Sequence, residues 1–155
     1  MKFEEIYTLY WQKIYRLCRG YVNDDDWAKD IAQDTFVIVF NQLSTFRNES
    51  SVSTWIYRIA INNCLKQIEK QKRHPKSEAK NHIYEVSEEP LENKLAFLYK
   101  CINELKELDR IIISLELENI RQSEIASITG ISEGNVRVKI HRIKEQLSKK
   151  FKNYE

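Results

Sequence analysis

The stretch SEIASITGISEGNVRVKIHRIKEQL, residues 123–147, decides the fold of the C-terminal part of the chain. Ile125 and Ile128 predict a short helix, and Gly130 supplies the left-handed backbone of a tight turn. Ser132 predicts the cap of a second helix, along which four aliphatic residues recur at helical spacing. These four residues are Val136, Ile140, Ile143 and Leu147. The pattern is typical of a helix-turn-helix.

The face opposite that aliphatic stripe is polar and basic, which is the usual footprint of a phosphate-binding surface. Arginine can read guanine and valine can contact the thymine methyl group, and the first turns of a recognition helix reach the base edges. The predicted base-facing residues are Asn135, Arg137, Val138, His141 and Arg142. The predicted phosphate contacts are Lys139, Lys144 and Lys149. A basic helical face is more often merely solvated, but the helix-turn-helix framework favours DNA binding here.

The composition predicts an all-α protein. With only 3 Gly and 2 Pro in 155 residues, the chain lacks the turn formers that sandwiches and barrels need. Cys18, Cys64 and Cys101 lie far apart without a CxxC spacing, which disfavours a disulfide framework and a zinc site and indicates a reducing compartment. No apolar run approaches the roughly 20 residues that span a bilayer. We therefore expect a cytoplasmic protein without membrane insertion, metal or cofactor.

Three amphipathic helices are predicted in the N-terminal part. The first spans residues 3–19 and is expected to end at Gly20, and the second begins at the acids 24–26 and ends near Asn41. The apolar positions of the first are Ile6, Leu9, Tyr10, Ile14, Leu17 and Cys18. Those of the second are Ala28, Ile31, Ala32, Thr35, Phe36 and Val39. A polar loop over residues 44–53 precedes the third helix.

The third helix carries an aromatic and basic edge that could stack on unpaired bases and hold a nucleic-acid backbone. This edge contains Trp55, Tyr57, Arg58, Asn62, Asn63 and Lys66. Tryptophans more often pack in or beside a core, so this signal is weak by itself.

The apolar pattern is lost between residues 71 and 90, which predicts a flexible linker. After it, a leucine-rich pattern predicts one amphipathic helix, and Asp109 is expected to cap a further short helix that ends at Leu117. The leucine-rich positions are Leu91, Leu95, Leu98, Ile102, Leu105 and Leu108. The predicted organisation is a domain over 1–72, a linker over 73–90 and a domain over 91–155.

Taken together, DIAQDTFVIVF (30–40), FRNESSVSTWIYRIAINNCL (46–65) and the helix-turn-helix stretch resemble a bacterial RNA polymerase sigma factor of the extracytoplasmic-function class. The resemblance covers nearly the whole chain outside the linker. It implies a three-helix region 2 joined to a helix-turn-helix region 4, and a promoter-specificity subunit of RNA polymerase. Promoter DNA, core polymerase and an inhibitory anti-sigma factor are the implied partners.

The resemblance also implies roles for individual residues. Asp30, Gln33 and Asp34 match the surface that docks on the polymerase. The residues implied at the melted minus-10 element are Phe46, Arg47, Asn48, Ser51, Trp55, Arg58, Asn62 and Lys66, with Glu49 and Ser50 in the same loop. Those implied at the minus-35 duplex are Asn135, Arg137, Val138, Lys139, His141 and Arg142.

No catalytic grouping, glycine-rich phosphate loop or metal-ligand spacing is recognisable, so we expect no enzymatic activity. Two other functions compete with promoter recognition. A helix-turn-helix repressor would bind duplex DNA tightly without polymerase. A helical adaptor protein would carry the basic helix only as a solvated face, and changes at Arg137 or Arg142 would have no effect on it.

Overall fold

The computed structural model describes residues 2–73 and 90–154. All of its regular elements over those residues are helical, so the prediction of an all-α fold is confirmed. The elements are α1 (Phe3–Val22), α2 (Asp25–Gln42), a short 3₁₀ turn (Leu43–Thr45), α3 (Val52–Arg73), α4 (Pro90–Asn103), α5 (Glu107–Leu117), α6 (Gln122–Thr129) and α7 (Glu133–Tyr154). The chain divides into two compact units, unit 1 over residues 1–76 and unit 2 over residues 77–155.

Unit 1 packs α1, α2 and α3 around one apolar core. All six apolar positions predicted for α2 are buried, and Asp24 caps this helix by accepting a hydrogen bond from the backbone N–H of Trp27 at 3.0 Å. The prediction for α1 is only partly right, because Leu9 is 58% exposed. The helical spacing of apolar residues therefore predicts the buried positions of α2 more accurately than those of α1.

The first helix does not end at Gly20. It continues to Val22, and Asn23 takes the left-handed conformation with φ of 46° while its backbone N–H donates to the carbonyl of Arg19 at 3.0 Å. Asparagine tolerates this conformation better than most residues. Gly20 is buried inside the helix instead. Asn23 therefore ends the helix, and Gly20 is a buried residue within it.

A buried polar cluster joins α3 to α2. The side-chain amide of Asn63 donates to the carbonyl of Ile31 at 3.2 Å and to the hydroxyl of Thr35 at 3.3 Å. The Thr35 hydroxyl itself donates to the carbonyl of Ile31 at 2.8 Å. Because buried polar groups are costly without partners, these hydrogen bonds fix how the two helices pack.

Two thiols join α3 to α1. The sulfur atoms of Cys18 and Cys64 lie 3.7 Å apart in the core, and both cysteines are free thiols. The hydrogen bond to Cys64 and burial raise the pKa of the Cys18 thiol well above its ordinary value. Cys18 therefore stays protonated in the core of the folded unit.

Unit 2 begins with the two predicted helices, but the boundary between them lies earlier in the chain than predicted. The helix α4 ends at Asn103, and the backbone N–H of Leu105 donates to the carbonyl of Ile102 in a tightened last turn. The cap of α5 is Lys106, whereas Asp109 lies in the first turn. An acid there is favoured by the positive end of the helix. The prediction that Asp109 caps the helix was therefore wrong.

The core of unit 2 is built mainly from isoleucine and leucine. Ile102, Ile112 and Leu115 are fully buried, as is Ile125 on α6. The predicted stripe on α7 is confirmed, since all of its members are buried: Val136, Ile140, Ile143 and Leu147. These residues turn one side of α7 inward and leave the other side exposed.

The predicted linker over 73–90 lies outside the described residues except at its two ends. Arg73 still belongs to α3, and Pro90 is the first residue of α4. Proline is common at the first helical position because the N–H that it lacks would have no partner there.

Candidate nucleic-acid and polymerase interfaces

The turn between α6 and α7 has the geometry that a helix-turn-helix requires. Gly130 has φ of 80°, and its backbone N–H donates to the carbonyl of Ala126 at 2.8 Å. The hydroxyl of Ser132 accepts from the backbone N–H of Asn135 at 3.1 Å, which caps the start of α7. The sequence predicted both features. They set the direction in which α7 leaves the turn.

The five predicted base-facing residues share the exposed side of α7, opposite its buried stripe. All of them are exposed: Asn135, Arg137, Val138, His141 and Arg142. Val138 is 48% exposed, so its side chain contributes little to the core. His141 lies 3.2 Å from a carboxylate oxygen of Glu145 one turn later. The structure thus presents these five side chains on one outward surface.

The structure places Lys139 apart from these five residues. Its ammonium group lies 3.3 Å from a carboxylate oxygen of Asp109 on α5, and both side chains are largely covered. Lys144 lies 3.3 Å from Glu116, and Lys150 lies 3.0 Å from Glu104. Three lysines of the basic helix are therefore bound by acids of unit 2, which the sequence did not reveal.

In unit 1, the loop before α3 brings two aromatic rings together. The rings of Phe46 and Trp55 stack with centroids 4.6 Å apart and planes inclined by 26°. Both side chains are half-buried, and Arg47 beside them is exposed. Asn48 adopts a left-handed backbone with φ of 56° at the turn of the loop. The loop thus presents a flat apolar surface with cationic and amide groups beside it.

Ser51 has a local role in this loop. Its hydroxyl oxygen accepts from the backbone N–H of Thr54 at 3.1 Å, and its carbonyl accepts from the N–H of Trp55. It therefore caps the start of α3, as serine commonly does at a helix N-terminus. Its first function in the structure is to place Trp55 at the beginning of the helix.

Four of the predicted minus-10 residues form a stripe along the outer side of α3. Trp55, Arg58, Asn62 and Lys66 follow one another at spacings of three and four, so they lie on one helical face. Asn62 and Lys66 are exposed, while Arg58 and Trp55 are half-buried. Tyr57 does not belong to this edge, because its side chain is fully buried. Trp55 and Tyr57 are two residues apart, so the helical period places them on opposite sides of α3.

The predicted polymerase-facing residues lie on the outer side of α2. Asp30, Gln33 and Asp34 are all exposed. Two large apolar residues lie on the same side, Val37 at 58% and Phe40 at 63% exposure. The sequence analysis did not include them, although apolar residues outside the buried stripe of an amphipathic helix were a usable signal.

A shallow apolar groove lies between α1 and α2 beside these residues. Its lining includes Phe3, Tyr7, Gln33, Phe36, Val37 and Phe40. The ring of Phe3 meets that of Phe40 edge to face at 5.1 Å, and the ring of Tyr7 meets that of Phe36 at the same distance. The acidic residues and the groove together make an amphipathic surface of the kind that protein partners cover.

Over residues 2–73 and 90–154, no group of three or more His, Cys, Asp or Glu side chains is placed to hold a metal ion. Within the same residues, no helix is long and apolar enough to cross a membrane.

Comparison with known proteins identifies both units. The family model for Sigma-70 region 2 matches residues 6–74, and the model for Sigma-70, region 4 matches residues 98–147. RNA polymerase sigma factor YlaC of Bacillus subtilis (strain 168) is 31% identical over 155 residues, which cover 94% of this chain and 90% of that protein. The ECF RNA polymerase sigma-E factor of Escherichia coli (strain K12) is 32% identical over 164 residues, covering 96% of this chain and 85% of that protein.

Solved structures share the fold. The sigma factor RpoE from Bartonella quintana, in complex with the anti-sigma factor NepR, matches with a TM-score of 0.80 at 21% identity and covers 97% of this chain and 96% of that one. CnrH, in complex with the cytosolic domain of CnrY, matches with a TM-score of 0.73 at 19% identity and covers 99% and 89%. With the two family models and the full-length relatives, the chain belongs to the extracytoplasmic-function group of the sigma-70 family, whose members direct promoter-specific transcription initiation when bound to RNA polymerase.

Proposed function

We propose that the two units divide promoter recognition between them. Unit 2 reads the minus-35 element as duplex DNA through α7, and unit 1 holds the melted minus-10 element through the loop before α3 and the outer side of that helix. The observation that carries this proposal is the capped helix-turn-helix, which buries one side of α7 and exposes the five predicted base-facing residues on the other.

For unit 2, the exposed face combines the side-chain types that read a major groove. Arg137 and Arg142 can each donate two parallel hydrogen bonds to guanine, and the amide of Asn135 can donate to N7 of adenine while accepting from its N6 amino group. Val138 offers an apolar contact for a thymine methyl group. Because Lys139 is held by Asp109, its part in minus-35 binding is limited to the flank of this face.

For unit 1, the stacked Phe46 and Trp55 rings offer a surface for an unpaired base. Stacking of a base on an aromatic ring contributes about 1–3 kcal/mol and tolerates any base. Arg58, Asn62 and Lys66 continue along α3 from this surface and can follow a strand with their donors. The function of Ser51 in this scheme is to hold Trp55 in position.

The docking surface for core polymerase is the outer side of α2, formed by Asp30, Gln33 and Asp34 with the exposed Val37 and Phe40. Apolar anchors surrounded by charged groups are typical of hot spots in protein interfaces. In this scheme the protein performs no chemistry and needs no cofactor. It stabilises the open promoter, because binding of an extruded base offsets the few kcal/mol that unstacking costs.

An anti-sigma factor is the partner proposed for the inactive state, acting on the protein in the cytoplasm. The two solved relatives are each held in complex with an inhibitor or with the cytosolic domain of a partner. An inhibitor that covers the outer side of α2 would exclude core polymerase. Isolation of the protein from its native source with a bound inhibitor, released on induction, is the result expected of this assignment.

Run-off transcription with purified core polymerase and a library of promoter sequences tests whether the two units recognise different promoter elements. Trp55→Ala should lower open-complex formation about 5- to 150-fold, which corresponds to the loss of about 1–3 kcal/mol of stacking, on promoters of every minus-35 sequence. Trp55→Phe is the matched control, since it keeps an aromatic ring and should retain most of the activity. Unchanged open-complex formation by Trp55→Ala would contradict the assignment of minus-10 binding to unit 1.

A further inference from the structure

The lysines of α7 fall into two groups that differ in their surroundings. Lys139, Lys144 and Lys150 each lie within 3.3 Å of a carboxylate oxygen from α5 or from the turn before it. Among the described residues, no carboxylate is recorded within ion-pair distance of Lys149 or Lys152. The basic helix therefore does not present all of its charge to a ligand.

The two pairs nearest the base-facing residues are the informative ones. Glu116 has only 21% of its side chain exposed and is held at the edge of the core, whereas its partner Lys144 is 56% exposed. Asp109 and Lys139 are 23% and 35% exposed. In each pair the carboxylate is the less exposed partner.

We propose that Glu116 and Asp109 neutralise Lys144 and Lys139 at the flanks of the reading face, so that α7 binds DNA with less sequence-independent affinity than its lysines would otherwise supply. This inference rests on the proposed function of unit 2. A phosphate that approaches either lysine meets an ion pair without net charge. The exposed Arg137 and Arg142 keep their charge and face the base edges.

The physical basis is the difference between phosphate and base contacts. A lysine that neutralises a phosphate adds affinity for every DNA sequence, whereas contacts to base edges distinguish sequences. Each phosphate contact also adds about 0.9 to the slope of log affinity against log salt concentration. Neutralising two flanking lysines therefore lowers non-specific binding more than it lowers discrimination between promoters.

A purely structural role for the same pairs makes the opposite prediction. If Glu116 served only to hold α5 against α7, its replacement would loosen α7 and lower the affinity for all DNA. If it neutralises Lys144, its replacement releases a cation and raises the affinity for unrelated DNA. The sign of the change separates the two explanations.

The test is a double-mutant cycle with Glu116→Gln and Lys144→Gln in the full chain, measured by fluorescence anisotropy of a labelled 20-base-pair duplex of unrelated sequence. Glu116→Gln should steepen the salt slope by about 0.9, which is about a 3.5-fold greater loss of affinity between 50 and 200 mM salt. Lys144→Gln alone should leave the slope nearly unchanged. In the double variant the gain should disappear, since the released cation is missing.

A general effect of net charge would give a different result, because Lys144→Gln alone would then flatten the salt slope by about as much as Glu116→Gln steepens it. That result would overturn the inference, and so would an unchanged slope in Glu116→Gln. Asp109→Asn with Lys139→Gln forms a second cycle in case the first variants fold poorly. In this cycle the salt slope should change in the same directions but by less, because Lys139 is less exposed than Lys144.

The same proteins separate this inference from the proposed function. Holoenzyme that initiates equally well from every minus-35 sequence would overturn the proposed function of unit 2. Holoenzyme that retains a minus-35 preference while Glu116→Gln leaves the salt slope unchanged would overturn only the neutralisation by Glu116.

Discussion

Both units pack around an apolar core, but the polar contacts that join their helices differ. In unit 1, Asn63 ties α3 to α2 by buried hydrogen bonds, and the Cys18–Cys64 pair ties it to α1. In unit 2, carboxylates on α5 meet lysines on α7 at the surface. Buried contacts are shielded from salt, whereas salt weakens interactions between exposed charges, with a Debye length of about 8 Å at physiological ionic strength. The packing of α7 is therefore expected to respond to salt more than the packing of α3.

The two proposed ligands also differ in how strongly their binding depends on salt. A melted strand is held largely by stacking on aromatic rings, and stacking depends weakly on salt. A duplex is held largely through its phosphates, and that binding depends strongly on salt. The sequence also offers a way to observe the units separately, because Trp11, Trp27 and Trp55 all lie in unit 1. Tryptophan fluorescence reports on unit 1, and ellipticity reports on both units.

The largest effect is expected from core truncations. Ile56 in unit 1 and Ile112 in unit 2 are both fully buried, so replacing either by alanine should cost about 2–5 kcal/mol of the stability of its own unit. In urea, Ile56→Ala should move the fluorescence transition to lower urea concentration. Ile112→Ala should leave the fluorescence transition in place and move only the part of the ellipticity transition that comes from unit 2. A fluorescence transition that moves with Ile112→Ala would show that the stability of unit 1 depends on the core of unit 2.

The next effect concerns the reading face of α7. Arg142→Ala should cost about 1–3 kcal/mol of discrimination between minus-35 sequences, because a bidentate contact to one base is lost. Lys149→Ala is the matched control on the same exposed side. It should weaken binding uniformly and lower the salt slope by about one unit. Promoter binding by holoenzyme measures both, and an unchanged preference in Arg142→Ala would contradict its assignment as a base-reading residue.

Alkaline pH should weaken unit 1 through its thiol pair. The pKa of Cys18 is raised in the folded state above an ordinary value of 9.0, so the folded unit keeps a proton that the unfolded chain releases. Its contribution is complete below about pH 9 and falls by up to about 1.4 kcal/mol per pH unit above it. Urea unfolding followed by fluorescence between pH 8 and 10.5, under reducing conditions, should show this loss.

Cys18→Ala provides the control for that experiment. The variant lacks the titrating thiol, so the part of the pH dependence that belongs to Cys18 should be absent. Equal slopes for the variant and the parent protein above pH 9 would assign the loss to other groups.

The smallest effect is expected at Gly134, in the first turn of α7. A Cβ atom added there would meet no atom within 4 Å, so the fold does not require glycine at this position. Gly134→Ala should therefore raise the stability of unit 2 by about 0.5–1 kcal/mol. If the DNA backbone passes close to this turn, the same variant should bind promoters more weakly. Gains in both stability and promoter affinity would contradict a close approach.

The sequence predicted the features that depend on periodicity and on local caps. The buried stripes of α2 and α7, the turn at Gly130 and the cap at Ser132 follow from helical spacing and backbone preferences. The position of Tyr57 could also have been deduced, since it lies two residues beyond Trp55 and therefore points to another side of the helix. An aromatic side chain alone does not indicate which side of a helix it occupies, whereas its place in the helical period does.

Other features depend on where distant segments meet. The partners of Lys139 and Lys144 lie on α5, and no pattern along the chain specifies which acid meets which lysine. Gly20 and Asp109 were misassigned because glycine and aspartate each have several uses. Glycine also permits close helix packing, and aspartate also stabilises a first helical turn without capping it. The residue roles at the promoter remain predictions that the experiments above test.

The Asn63 cluster has a mechanical consequence. Ile31 and Thr35, which accept its hydrogen bonds, are the immediate chain neighbours of Asp30 and Asp34 on the proposed docking surface. Asn63 itself follows Asn62 on the proposed strand-binding stripe. The two proposed surfaces therefore lie on two helices that buried hydrogen bonds join directly. Because breaking these buried hydrogen bonds would be costly, we expect α2 and α3 to keep their relative position when a partner docks on α2.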